Sequence, residues 1–276
     1  MSIFSGLLKR KADLPEYPSD LRSYLDSYDD KPVFTIVDLG LYEIAPVKDY
    51  SRYLAVIIPL QTTGDNPEKP VSDAELRALH DVEAKCIATA NKQGWIYTGH
   101  AVVTAAEHMY MAFYCMEKDK AQAIETLNHI CTKAGRRPTK IVSKDDPEWG
   151  FYLERLYPDL YQMQAINHLE IVQDLRNHGD KCTAERPISF WLYFKEKDDA
   201  EKCMADAAAA GFEAVSVKDM REEPEQDGSA ALPFALHLKR TAKPEIDLLN
   251  ADAWALIDLA KKYNGEYDGV ETEVIK

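Results

Sequence analysis

The sequence predicts an α+β protein made of two tandem ferredoxin-like sandwiches, each an antiparallel sheet with helices on one face. Three observations predict it. Strand-like and helix-like segments run through the order β-α-β-β-α-β twice. The length of 276 residues suits two modest domains at about 150 residues each. An apolar fraction of 46% with 29% charged residues is that of a globular chain and excludes a wholly disordered one.

The elements follow in order. Residues 1–30 mix charge, Pro15 and Pro18 with a few aromatics and read as a lead-in arm with room for one short helix. Val33 to Tyr42 alternates as a strand, and Tyr53 to Leu60 is a β-rich run that Pro59 ends. Gln61 to Pro70 is rich in turn residues. Ser72 with Glu75 three positions on has the form of a capping box. Behind it Leu76, Leu79, Val82, Cys86 and Ile87 recur at helical spacing until Gly94. Trp95 to Thr104 and Met109 to Met116 form a hairpin, Lys120 to Ala134 a helix closed by Gly135, and Thr139 to Ser143 a last strand.

The second pass begins with connecting helices at Pro147 to Tyr157 and Tyr161 to His178. Pro187 to Phe194 is then a strand and Asp198 to Ala210 a helix stopped by Gly211. Phe212 to Val217 and Leu232 to Lys239 are strands around the acidic loop Met220 to Ser229. Pro244 to Tyr263 is a helix, and Glu266 to Val274 closes the module. The expected domains are therefore 31–146, a sandwich with an extra strand, and 160–276. FYCMEKDKA at 113–121 and LYFKEKDDA at 192–200 share five of nine positions. They occupy different slots of their modules, which fits a shared strand-to-helix turn chemistry as well as duplication.

Charge and cysteine narrow the partners. The net charge is −14, of which −4 falls in residues 1–150 and −10 in residues 151–276. A surface this acidic repels a phosphate backbone, so direct nucleic-acid binding is not expected and a basic protein segment is. Apolar runs stop near seven residues, well short of the ~20 that cross a bilayer. Met1 to Lys11 carries its cations after its apolar residues, the reverse of a signal peptide. Five cysteines without a CxxC pair fit reduced thiols, and the expected location is the cytoplasm.

No catalytic motif stands out. Gly64, Gly94, Gly99, Gly135 and Gly211 are isolated, so no glycine-rich phosphate loop is present, and neither GxSxG nor HExxH occurs. His100 and His108, like His168 and His178, are poorly spaced to share an ion, so no metal and no cofactor are expected. Cys131 and Cys203 lie on apolar helix faces without an activating base. The cluster Lys133, Arg136, Arg137, Lys140 and Lys144 follows a helix C-terminus, where cations complement the dipole; binding of an anion or RNA is the alternative.

The aromatic strands carry more information. In the run ISFWLYF, Ile188, Phe190, Leu192 and Phe194 point to the helices, leaving Ser189, Trp191 and Tyr193 on the open sheet face. Tyr110, Ala112 and Tyr114 do the same in the first module. Burial against a second sheet, a second copy in a homodimer or a protein ligand would cover these rings.

Three segments add a resemblance. IVQDLRNHGDKCTAERPISFWLYF (171–194), AAAAGFEAVSV (207–217) and YNGEYDGVET (263–272) resemble the regulator of ribonuclease E activity B family in order and spacing. Val270 stands where that family carries Trp. The stretch DAELRALHDVEAKCIATANKQGWIYTGHAV is similar to a bacterial domain family of unknown function found in front of it. The resemblance implies a ferredoxin-like fold and a cytoplasmic, non-enzymatic regulator that contacts ribonuclease E. On that reading the expected partner-binding residues are Trp191, Tyr193, Glu266, Tyr267 and Asp268. The competing expectations are a cryptic polar site using His100, Glu107 and His237, and a purely oligomeric role.

Overall fold

A computed structural model describes residues 15–61, 71–222 and 231–276. The arm at 1–14, most of the loop expected at Gln61 to Pro70 and most of the acidic loop at Met220 to Ser229 lie outside the described residues. The chain divides into two compact units, residues 1–158 and 159–276. Both mix helices with an antiparallel sheet, so the protein is α+β.

The first unit contains β1 (Leu21–Tyr28), β2 (Lys31–Asp38), β3 (Arg52–Pro59), α1 (Asp73–Gln93), β4 (Ile96–Val103), β5 (His108–Cys115), α2 (Lys120–Lys133) and β6 (Lys140–Asp145). Its six strands lie in the order β1-β2-β4-β5-β3-β6, every neighbour antiparallel. One face carries α1 and α2 over a core from Leu54, Val56, Ile58, Met111, Phe113, Leu79, Cys86 and Leu127.

Strand β1 corrects the lead-in arm. Leu21 to Tyr28 pairs with β2 through a two-residue turn at Asp29 and Asp30, both at positive φ (49° and 56°). Such a turn matches strand twist and normally uses Asn or Gly, so Asp-Asp gave no hairpin signal. The capping box is only half formed. Ser72 accepts from the Glu75 N–H at 3.1 Å, but the Glu75 carboxylate turns to the Gln61 N–H and to Arg136. That ion pair ties the start of α1 to the end of α2 and takes Arg136 out of the free basic cluster.

Pro147 to Tyr157 is not a regular connecting helix. It forms a turn and a short π-helical segment, Tyr152–Leu156, whose aromatics cover part of the sheet face opposite the helices. Trp149 stacks on Tyr114 at 4.2 Å and Phe151 on Tyr53 at 4.1 Å. Ala112 and Tyr114, expected on an open face, are therefore fully buried by their own chain, while Tyr110 is half-buried. The segment is aromatic on several sides instead of amphipathic, which suits a wedge better than a surface helix. Asp146 fixes it by accepting from the Gly150 and Phe151 N–H groups and the Tyr114 hydroxyl.

The second unit contains α3 (Leu160–Asn177), β7 (Arg186–Phe194), α4 (Lys197–Ala209), β8 (Glu213–Asp219), β9 (Phe234–Ala242), α5 (Ile246–Lys262) and β10 (Gly265–Thr272). Strand order is β10-β7-β9-β8, all antiparallel. The core joins Ile188, Phe190, Leu192 and Phe194 to Cys203, Leu249, Leu256 and Ile257 from α4 and α5. Helix α3 begins with a complete capping box at Asp159 and Gln162. It is joined to α5 through His168, whose Nδ1 lies 2.7 Å from Asn250 Oδ1. Gly265 is required where β10 starts, because a Cβ there would sit 2.3 Å from the Phe194 ring.

Candidate partner-binding surface

The open face of the second sheet follows from the alternation in β7. With the even-numbered residues from 188 to 194 buried under the helices, Ser189, Trp191 and Tyr193 fall on the other side, the last two half-buried. Register then decides their neighbours. Trp191 faces His237 on β9 and Gly269 on β10; Tyr193 faces Ala235 and Glu266. The indole and imidazole stack at 4.1 Å with planes 8° apart, and indole Nε1–H donates to Glu271 at 3.2 Å. Gly269, with nothing within 4 Å of a Cβ placed there, leaves one flank of Trp191 open.

A bulge in β10 between Tyr267 and Gly269 inserts Asp268. Its exposed carboxylate lies close enough to Tyr193 to add to burial in raising the phenol pKa. Glu266, Asp268 and Glu271 line one side of the face. Lys239 on β9 and Lys218 on β8 lie toward the other. The face is thus acidic along β10 and mixed across β8 and β9, where the exposed Glu213 lies opposite Lys239. Burial, then Lys239 and Lys218, hold the His237 pKa down against Glu271, so the ring stacked on Trp191 is neutral near pH 7.

Four of the five expected contact residues, Trp191, Tyr193, Glu266 and Asp268, come together here. Tyr267 does not. It pairs with Leu192, is 6% exposed and joins the core beneath the sheet, because the bulge falls after it.

The other candidates are accounted for individually. His100 is buried in the first unit with its Nδ1 on the Glu83 carboxylate, which also accepts from the Tyr97 hydroxyl. Burial pushes Glu83 up, but His100 and Tyr97 outweigh it and hold the carboxyl below its usual range. Glu107 sits in the β4–β5 turn at φ 51°. His237 belongs to the indole stack in the second unit. Cys131 lies 3.9 Å from Cys86 in the core, and burial pushes the Cys203 thiol up to about 12, which suits packing and not attack. Among the described residues no group of three or more His, Cys, Asp and Glu is placed to hold a metal ion. Nor does any described helix have the length and hydropathy to cross a membrane.

Sequence comparison bears on the second unit. The family model for "Regulator of ribonuclease activity B" matches residues 165–272. A protein of that name from Pseudoalteromonas atlantica is 33% identical over 107 residues, 39% of this chain and 87% of its own length. The chain belongs to the regulator of ribonuclease activity B family. A second member, from Alteromonas mediterranea, is 35% identical over 36% of this chain and 72% of its own length. A third, from Haemophilus influenzae, is 32% identical over 40% of this chain and 68% of its own length. The first unit matches a different model, "Family of unknown function (DUF695)", over residues 21–157. A solved protein of unknown function from Galdieria sulphuraria covers 81% of this chain and 99% of its own, at 10% identity. Its TM-score of 0.22 bears on neither fold nor function.

Sequence reasoning named His100 and His237 for a shared polar site and missed what each actually meets, the Trp191 indole for His237 and the Glu83–Tyr97 pair for His100. A His opposite a Trp is set by cross-strand register. Tyr97 and His100 reach one carboxylate only because a bulge between Tyr97 and Gly99 breaks the alternation.

Proposed function

We propose that the chain is a non-enzymatic regulator that controls a ribonuclease by direct protein contact. The open face of its second sheet is the contact surface. The observation that carries the proposal is the identity of 32–35% between the second unit and relatives named as regulators of ribonuclease activity. The surface chemistry agrees with it. A half-buried Trp and Tyr beside Glu266, Asp268 and Glu271 offer aromatic anchors with an acidic margin, the composition of protein-binding patches. Ribonuclease E is the proposed partner and the bacterial cytoplasm the proposed location. The five free, buried cysteines suit a reducing compartment.

Both units are read as ferredoxin-like sandwiches, the second domain spanning residues 160–276 and the first reaching beyond the expected 31–146 to take in β1 and the aromatic wedge. In the second, the strands lie fourth, first, third, second. In the first, β6-β3-β5-β4 repeats that order and the β1–β2 hairpin extends it.

The test is RNA turnover by purified ribonuclease E from the host bacterium with increasing amounts of the chain. A saturable change in cleavage rate supports the proposal. An unchanged rate with the chain in large excess removes ribonuclease E as the target.

A further inference from the structure

The first unit carries a cleft of about 680 Å³ on the sheet face opposite its helices. The floor is aliphatic, with Ala55 and Ile57 of β3 beside Val142 of β6. The short side chains of Ala55 and its cross-strand partner Ala112 keep that row low. Phe151 forms one wall, stacked on Tyr53 and edge-on to Tyr110 at 5.8 Å. Its backbone N–H is held by Asp146 at 3.0 Å, so the wall is fixed by the fold.

The rim is polar and its groups are unevenly used. Most acceptors are engaged: Asp146 takes three donors, and Asp145 lies 3.8 Å from Arg52. Glu154 is the exception, an exposed carboxylate at the margin. The donors are not engaged. Among the described residues Lys144 and Arg155 form no ion pair, and the Tyr110 hydroxyl has no acceptor. His108 uses only Nδ1, on the Ala106 carbonyl, and keeps Nε2 for another partner. Burial, and then the Asp26 carboxylate of β1, push the Tyr110 pKa up to about 12, so the phenol stays protonated at neutral pH. A cleft of several hundred Å³ with an apolar floor and a few convergent polar groups is the usual form of a small-molecule site. Unused donors select an acceptor-rich ligand.

We infer that this cleft binds a small molecule with a flat apolar body and an anionic group, a carboxylate or a phosphate. The body lies on Ala55, Ile57 and Val142 against Phe151, and the anion meets Lys144 and Arg155. The site belongs to the unit matched by the family of unknown function and does not depend on ribonuclease regulation.

The test uses the full chain and anilinonaphthalene sulfonate, a fluorescent aromatic anion, followed by competition with indole acetate and with adenosine monophosphate. Saturable binding is expected, displaced by the carboxylate, the phosphate or both, and the effective competitor identifies the anion. The double variant Lys144→Ala/Arg155→Ala, which changes only exposed side chains, weakens the probe by about tenfold or more. Ala55→Leu, which fills the floor, weakens it comparably, with the melting temperature checking that the fold survives. Absence of saturable binding overturns the inference. So does displacement by neither competitor, or unchanged affinity in the double variant.

Discussion

Trp149→Ala probes the aromatic wedge that closes the sheet face of the first unit. Trp149 is fully buried, stacked on Tyr114 with planes 14° apart and edge-on to Tyr152 at 5.9 Å. Its Nε1–H donates to the Tyr50 carbonyl at 2.8 Å. Truncating a buried Trp costs about 3–5 kcal/mol. Within that, ring geometry contributes about 1 kcal/mol and the orphaned carbonyl about as much again. We expect a loss of about 4 kcal/mol, which speeds exchange of amides that open globally by about three decades. Trp149→Phe keeps a ring on Tyr114 and should cost about half as much. Hydrogen exchange resolved by peptide is the assay, because it reports each unit separately. Peptides from β3 and β5 should lose protection, while those from β7 and β9 keep theirs. A loss under about 1 kcal/mol, or equal losses for Ala and Phe, would refute the assignment of Trp149 as the wedge that closes the face.

Three further outcomes follow from the second unit. Burial depresses the His168 pKa, so its stability contribution is full above the unfolded value of about 6.5 and falls as pH drops through it. His168→Gln should flatten the urea midpoint between about pH 7 and 5 relative to the unsubstituted chain. Arg186 is fully buried, pairs with Asp180 through both terminal nitrogens and donates to the Glu273 carbonyl. Arg186 holds Asp180 well below the usual carboxylate range, a stabilisation present above about pH 4 and lost on acidification. Arg186→Ala should lower the melting temperature and expose residues 273–276 to carboxypeptidase. Gly265→Ala sets a methyl group against the buried Phe194 ring and should cost about 1–3 kcal/mol by urea unfolding.

Much of the second unit was legible because its signals are local. Alternation in ISFWLYF separates the Phe190 face from the Trp191 face, and glycines at 179 and 211 stop helices where positive φ is needed. What was hidden depends on pairing between distant segments. Asp29 and Asp30 make a hairpin turn with residues that rarely announce one. Tyr267 and Asp268 lie on opposite sides of expectation because the bulge position is a property of the β7–β10 pair. The cleft arises from Ala55 meeting Ala112 and Val142 across three strands, while Phe151 arrives from a connection that carries no periodic pattern.

The central claim, that the Trp191 face contacts a ribonuclease, is tested most directly by calorimetric titration of the full chain with ribonuclease E from its host. The unsubstituted chain should bind. Trp191→Ala should weaken binding by about thirtyfold or more, as loss of an aromatic anchor worth about 2 kcal/mol does, while Lys144→Ala/Arg155→Ala leaves it unchanged. No binding by the unsubstituted chain, or equal affinity with Trp191→Ala, would contradict the account.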